Sequence, residues 1–157
     1  MLGETENQAR IVAYLSLNYH VVFSTKYRRP WIAGSWRPRL HEYLGGTIRR
    51  LGGAPLGQGG IEDHVHLLFG LRATHRLCDT VREIKKASTK WVHDEIKTES
   101  FLWQGSYAAF SVDYRGIAKV QRYIANQEDH HRQEESLPEI VRLLANEGVE
   151  YDPRFLE

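Results

Sequence analysis

At 157 residues, with 41% hydrophobic and 26% charged side chains, the chain has the composition of one globular domain with enough material to bury a core. No run approaches the roughly 18 apolar residues of a membrane span, and residues 1–10 lack the apolar core of a secretory signal; a cytoplasmic protein with no membrane partner is expected. The single cysteine, Cys78, excludes an internal disulfide and a thiolate metal cluster. The net charge of +1 hides a division, because residues 1–125 carry 18 Lys and Arg against 11 Asp and Glu whereas residues 126–157 carry 3 against 9. A basic body suits a phosphate-binding face; the same division suits an acidic tail packed on that body.

Residues 1–12 are polar and aperiodic, as in a loose arm. From 14 to 25 the residues alternate, with Leu17, Tyr19, Val21 and Phe23 on one face of a strand and Asn18, His20, Val22 and Ser24 on the other. The strand runs into Lys26-Tyr27-Arg28-Arg29-Pro30-Trp31, where three cations are interleaved with two aromatics. Such a cluster suits phosphate pairing and base stacking, or equally a solvated loop whose aromatics cap the core. A helix is expected over 36–51, with Leu40, Tyr43, Leu44, Ile48 and Leu51 inward and Arg37, Arg39, Arg49 and Arg50 outside that stripe. Residues 52–60, with five glycines and Pro55, read as a weak strand.

Residues 61–69 form an apolar strand in which His64 and His66 share one face while Val65, Leu67 and Phe69 fill the other. The pair reads either as two half-buried histidines or as two ligands converging on one divalent ion. A second amphipathic helix follows over 77–97, with Leu77, Val81, Ile84, Ser88, Trp91, Val92 and Ile96 on its stripe. An aromatic-rich strand is expected over 101–112, with a bulge at Gly105. In a third helix, over 114–132, Ile117, Val120 and Ile124 face the core. Tyr123, Gln127 and His130 fall together on its shoulder, a polar ridge or an ordinary surface tyrosine among polar neighbours. A short acidic helix over 136–147 closes the chain. There is no internal repeat.

Two split strand-helix-strand units in this order imply an α+β, ferredoxin-like (RRM-like) antiparallel sheet with helices on one face, the other face free for a site, and a tyrosine-bearing helix near the C-terminus.

Four segments together resemble a known family. They are Tyr19-His20-Val21-Val22-Phe23-Ser24-Thr25-Lys26-Tyr27-Arg28-Arg29-Pro30, Asp63-His64-Val65-His66-Leu67-Leu68, Trp103-Gln104-Gly105-Ser106-Tyr107 and Tyr123-Ile124-Ala125-Asn126-Gln127. They are similar to the single-tyrosine HUH transposases of the insertion-sequence 200/605 group, which include the REP-associated tyrosine transposases. The resemblance implies one HUH domain over 1–157, with residues 133–157 as an acidic C-terminal extension. It further implies a metal site of His64, His66 and Gln127, holding Mg²⁺ or Mn²⁺, and Tyr123 as the nucleophile that cuts DNA. The product is a 5′-phosphotyrosine link with a free 3′-hydroxyl, and rejoining through that link needs no ATP. The partner is single-stranded DNA, in hairpins at element ends, contacted by Lys26, Tyr27, Arg28, Arg29 and Trp31 with Arg115, Lys119 and Arg122. Family members are homodimers with sites at the interface. His130 and His131 lie just beyond the triad, where His130 would assist proton transfer, supply a ligand, or stand in solvent; His20 faces the site. Rival readings are a non-enzymatic single-stranded nucleic-acid-binding protein of the same fold, a metal-dependent nuclease using water, and a domesticated relative that cuts a repeat without moving itself.

Overall fold

The computed structural model describes residues 13–131 and 134–156; the expected N-terminal arm, residues 1–12, lies outside the described residues. Four strands and two crossover helices run in the order β1 (Asn18–Ser24), α1 (Arg37–Arg50), β2 (Ala54–Gly60), β3 (His64–Gly70), α2 (Leu77–Trp91) and β4 (Ala108–Val112). The sheet is antiparallel throughout, in the order β2-β3-β1-β4, which places the first strand and the histidine strand side by side at its centre. Thus the alternation read from the sequence becomes two faces. Val21, Phe23, Val65, Leu67 and Phe69 pack with Leu40, Leu44, Ile48, Val81 and Ile84 from the two helices and with Val92 just beyond α2. Each such side chain, removed from water, contributes roughly 1.5–3 kcal/mol.

The opposite face carries His20, Val22, His64 and His66. It is not bare, as the expected open face would be. α3 (Ile117–Ala125) crosses β2 and β3, and α5 (Ser136–Asn146) sets Ile140 and Leu144 against Val22 and Phe110. The acidic tail therefore packs on the basic body, the second reading of the charge division. Gly59 permits the crossing of α3, since a Cβ there would stand 2.5 Å from the Ile124 carbonyl oxygen; Gly60 serves the turn from β2 into β3, combining φ +150° with a Cβ position 2.2 Å from the His64 oxygen.

Two expected elements differ. The strand expected over 101–112 is regular only from Ala108. Before it, Trp103 forms a single bridge to Thr25, and the Lys85 ammonium draws the carbonyls of Gln104 and Ser106 out of the sheet at 2.8 and 2.7 Å. No bulge forms at Gly105. The helix expected over 114–132 is broken at Asn126, whose φ of −98° and ψ of 18° separate α3 from the short α4 (Gln127–His130). No helix among the described residues is long and apolar enough to cross a membrane.

Candidate metal and nucleophile site

Period-two alternation brings three imidazoles onto the face beneath α3, because Val22 pairs with His66 and Ser24 with His64 across the β1–β3 ladder. His64 Nε2 lies 3.1 Å from His66 Nε2, and His66 Nδ1 lies 2.8 Å from His20 Nε2. His64 and His66 are 2% and 0% exposed. The other ring nitrogen of His64, Nδ1, donates to Asp63 at 2.7 Å, which holds the ring's orientation; Asp63 also accepts from the Ser136 hydroxyl at 2.8 Å.

The break at Asn126 turns Gln127 inward. Its Oε1 stands 3.1 Å from His64 Nε2 and 3.0 Å from His131 Nε2. The centre of the cluster, however, is Glu139 of α5, buried to 1% exposure. Its Oε1 accepts from His66 at 2.8 Å and pairs with His64 at 3.2 Å; its Oε2 accepts from the Tyr123 phenol at 2.7 Å and from Gln127 Nε2 at 3.2 Å. Arg142 donates to the same phenol oxygen at 3.0 Å.

The charge states follow from these contacts. Burial opposes a charge on His64, but the hydrogen bonds to Asp63 and Glu139 outweigh it and raise its pKa to about 9. Burial lowers His66 to about 4 and His20 to about 3, so both are neutral. Burial would push the Glu139 carboxyl up, but the hydrogen bonds of His64 and His66 hold it well below the usual range. Burial first and the Glu139 carboxylate second push the Tyr123 phenol far above its ordinary value, so the phenol is a neutral donor here.

Two imidazole nitrogens, an amide oxygen and a carboxylate oxygen, with each of the other three about 3 Å from His64 Nε2, form a donor set that suits a divalent metal ion. Octahedral or tetrahedral ligands at about 2.1 Å from an ion stand at this order of mutual separation.

The expected triad of His64, His66 and Gln127 is thus brought together, with Tyr123 one side chain away through Glu139. The sequence reading assigned no role to Glu139. The signal lay in the α5 stripe, where positions 136, 139, 140, 143 and 144 share a face and Glu139 is a carboxylate inside an otherwise inward row. Asp63 stood in the quoted motif without a role. His131 is at the site, its Nε2 2.9 Å from Glu139, and His130 is half-buried rather than in solvent, its Nε2 2.6 Å from Glu134 and its ring 5.3 Å from that of Tyr123.

The expected DNA contacts divide. Lys26, Tyr27, Arg29, Arg115, Lys119 and Arg122 are exposed, and Lys26 and Arg29 lie 5.5 and 5.8 Å from the Tyr27 ring centre. Trp31 packs against Phe101, ring centres 5.6 Å apart, so this aromatic caps the core as the alternative reading had it. Arg28 turns inward.

Residues 13–127 match the family described as transposase, IS200-like. The ISDra2 transposase TnpA of Deinococcus radiodurans is 28% identical over 119 residues, which cover 72% of this chain and 85% of that protein. A solved transposase structure from Deinococcus radiodurans superposes with a TM-score of 0.58 at 26% identity, over 75% of this chain and 96% of that one. A REP-associated tyrosine transposase bound to a REP hairpin superposes at 0.57 over 77% of this chain and 74% of that one, and at 15% identity the likeness is one of fold. With its sheet order, its histidine pair and a family match over most of its length, the chain belongs to the IS200-like, single-tyrosine transposases.

Proposed function

We propose that this transposase cuts and rejoins single-stranded DNA at hairpin-marked ends, through a 5′-phosphotyrosine intermediate on Tyr123. The observation that carries the reading is the single carboxylate, Glu139, that touches both His66 and the Tyr123 phenol, joining nucleophile and donor set in one chain. A divalent ion, Mg²⁺ or Mn²⁺, bound by His64, His66 and Gln127 would supply Lewis acidity at the phosphate.

The chain's own residues supply the rest. Glu139 Oε2 accepts the phenol proton as Tyr123 Oη attacks phosphorus, while Arg142 steadies the developing phenolate. The Oη–P bond forms, the bond from phosphorus to the 3′ oxygen breaks, and that oxygen takes a proton from solvent water to leave as a hydroxyl, the phenol's proton staying on Glu139 until rejoining. In the reverse sense, another 3′-hydroxyl attacks the phosphotyrosine and Tyr123 recovers its proton. Asp63 orients His64 throughout.

Lys26, Tyr27 and Arg29, with Arg115 in the turn before α3 and Lys119 and Arg122 on α3 itself, would hold the strand through phosphates and stacking. The structure of a related fold bound to a REP hairpin supports a hairpin partner. The homodimer that the resemblance implies would join two sites, each with its tyrosine beside its own histidine pair; sedimentation velocity tests it.

The deciding experiment is a denaturing gel of the protein with labelled hairpin single strands from the flanks of its gene, with and without Mg²⁺ or Mn²⁺, beside Tyr123→Phe. A metal-dependent labelled band at protein mass, absent from the variant, is expected. Cleavage that survives Tyr123→Phe would instead mean a water nuclease, and binding without cleavage a DNA-binding protein.

A further inference from the structure

Arg28 stands apart from the other cations of its segment. Tyr27 and Arg28 are consecutive non-glycine residues in left-handed backbone, with φ of 56° and 52°. The turn is braced at both ends: the Thr25 hydroxyl donates to the Arg29 carbonyl at 2.7 Å, and the Lys26 amide donates to the Leu102 carbonyl at 2.9 Å. This strained pair sends the Tyr27 ring outward and the Arg28 guanidinium inward, onto the wall between two cavities. One, of about 290 Å³, is also lined by Ser24, Gln104, His64 and Glu139; the other, of about 400 Å³, by Asp63, Ser136 and His131. Arg28 Nε is buried with no hydrogen-bond partner, and Nη2 donates to a backbone carbonyl, that of Leu156, at 3.0 Å. Burial lowers its pKa from the ordinary guanidinium value, and Asp63 and Glu139 pull the other way without offsetting it.

A cation needed only for affinity would gain nothing from such a turn, since an exposed, extended arginine such as Arg29 supplies the same charge without strain. We propose that Arg28 is a further catalytic residue, whose guanidinium binds a non-bridging oxygen of the phosphate attacked by Tyr123, where the cavity it shares with His64 ends on Glu139, the carboxylate that accepts from the Tyr123 phenol. The unused Nε and the Nη2 beside it form the planar fork that matches two phosphate oxygens, and the Leu156 carbonyl oxygen stands where one of them would lie. As Oη–P forms and the bond to the 3′ oxygen breaks, negative charge shifts onto the phosphate's equatorial and leaving oxygens, and a fixed cation there lowers the barrier.

The inference rests on the tyrosine-cleavage reading, so the test uses the full chain on the same labelled hairpin DNA and scores single-turnover adduct formation separately from affinity by fluorescence anisotropy. Arg28→Gly suits the left-handed φ of its position and is expected to fold at least as well as wild type. We expect the saturating rate to fall about 100-fold or more, with affinity changed by less than about threefold, and to recover in part on addition of millimolar guanidinium. Arg28→Lys should restore little, because an ammonium lacks the fork. An Arg28→Gly protein that forms the adduct at the wild-type rate, or whose defect lies wholly in affinity, would overturn the assignment while leaving Tyr123 as nucleophile. Absence of any adduct from wild type would overturn both.

Discussion

The Tyr123 phenol donates a 2.7 Å hydrogen bond to Glu139, and that bond ties a residue inside the family-matched body to one in the acidic segment beyond it. The other oxygen of the carboxylate accepts from His66 at 2.8 Å, so one buried side chain touches both the phenol and the donor set.

Glu139→Gln removes the anionic acceptor from the phenol and leaves burial as the main cause of its raised pKa. Phenol ionisation followed by ultraviolet difference titration should move down by roughly one unit or more in this variant. A Tyr123 titration unmoved by the substitution would deny Glu139 its part in holding the proton.

Metal affinity should follow the donor set. Mn²⁺ binding by calorimetry is expected to be lost in His64→Asn and His66→Asn, and to weaken about 10- to 100-fold in Glu139→Gln. Saturation of wild type at 100 times Kd should add about 2.7 kcal/mol to stability, removable with a chelator, and neither histidine variant should gain it. Undiminished binding in both histidine variants would place the ion elsewhere.

Gly59→Ala should loosen the tyrosine helix from the sheet. The new methyl meets the Ile124 carbonyl oxygen at 2.5 Å and Ile124 Cγ2 at 2.7 Å, and one of these is backbone that cannot step aside cheaply. A loss of about 1–3 kcal/mol in denaturant unfolding is expected, with a larger fractional loss of adduct formation than Gly57→Ala, whose nearest contacts are 3.8 Å away.

Acid should destabilise the fold through its neutral histidines. His20 and His66 have folded pKa values of about 3 and 4 against 6.5 for an exposed imidazole, so below about pH 6.5 the unfolded chain binds more protons than the folded one. Stability therefore falls as pH drops from 7 toward 4, by on the order of 1 kcal/mol per pH unit per histidine below pH 6. His64 runs the other way: its raised value contributes stability that is full below pH 6.5 and is lost as pH rises through about 9. Denaturant midpoints at pH 7, 6 and 5 should show the acid slope, and His20→Gln should flatten it.

The faces of β1 and β3 were legible along the chain because a strand alternates its side chains with period two whatever covers it; His64, His66 and His20 could be put on one surface from that rule alone. The stripes of α1 and α2 were legible for the same local reason, and their order implied the sheet topology that is observed. The Tyr123–Gln127 pair needed only helical spacing, although the break at Asn126, which turns Gln127 inward, has no strong local signal in the sequence.

What tertiary structure alone decided is who fills the middle. Glu139 is 73 residues from His66, and only the packing of α5 through Ile140 and Leu144 on Val22 and Phe110 carries its carboxylate among the imidazoles. Arg28 looked like its exposed neighbours until two left-handed residues reversed it, and left-handed backbone at tyrosine and arginine is set by braces from Thr25 and Leu102 rather than by propensity. The sequence by itself determined most of the elements and the faces of β1 and β3, with His64 and His66 together on one of them, because these depend on local periodicity. The charge of the site, the partner of the phenol and the direction of Arg28 depend on contacts between residues far apart in the chain, and those exist only once the chain has folded.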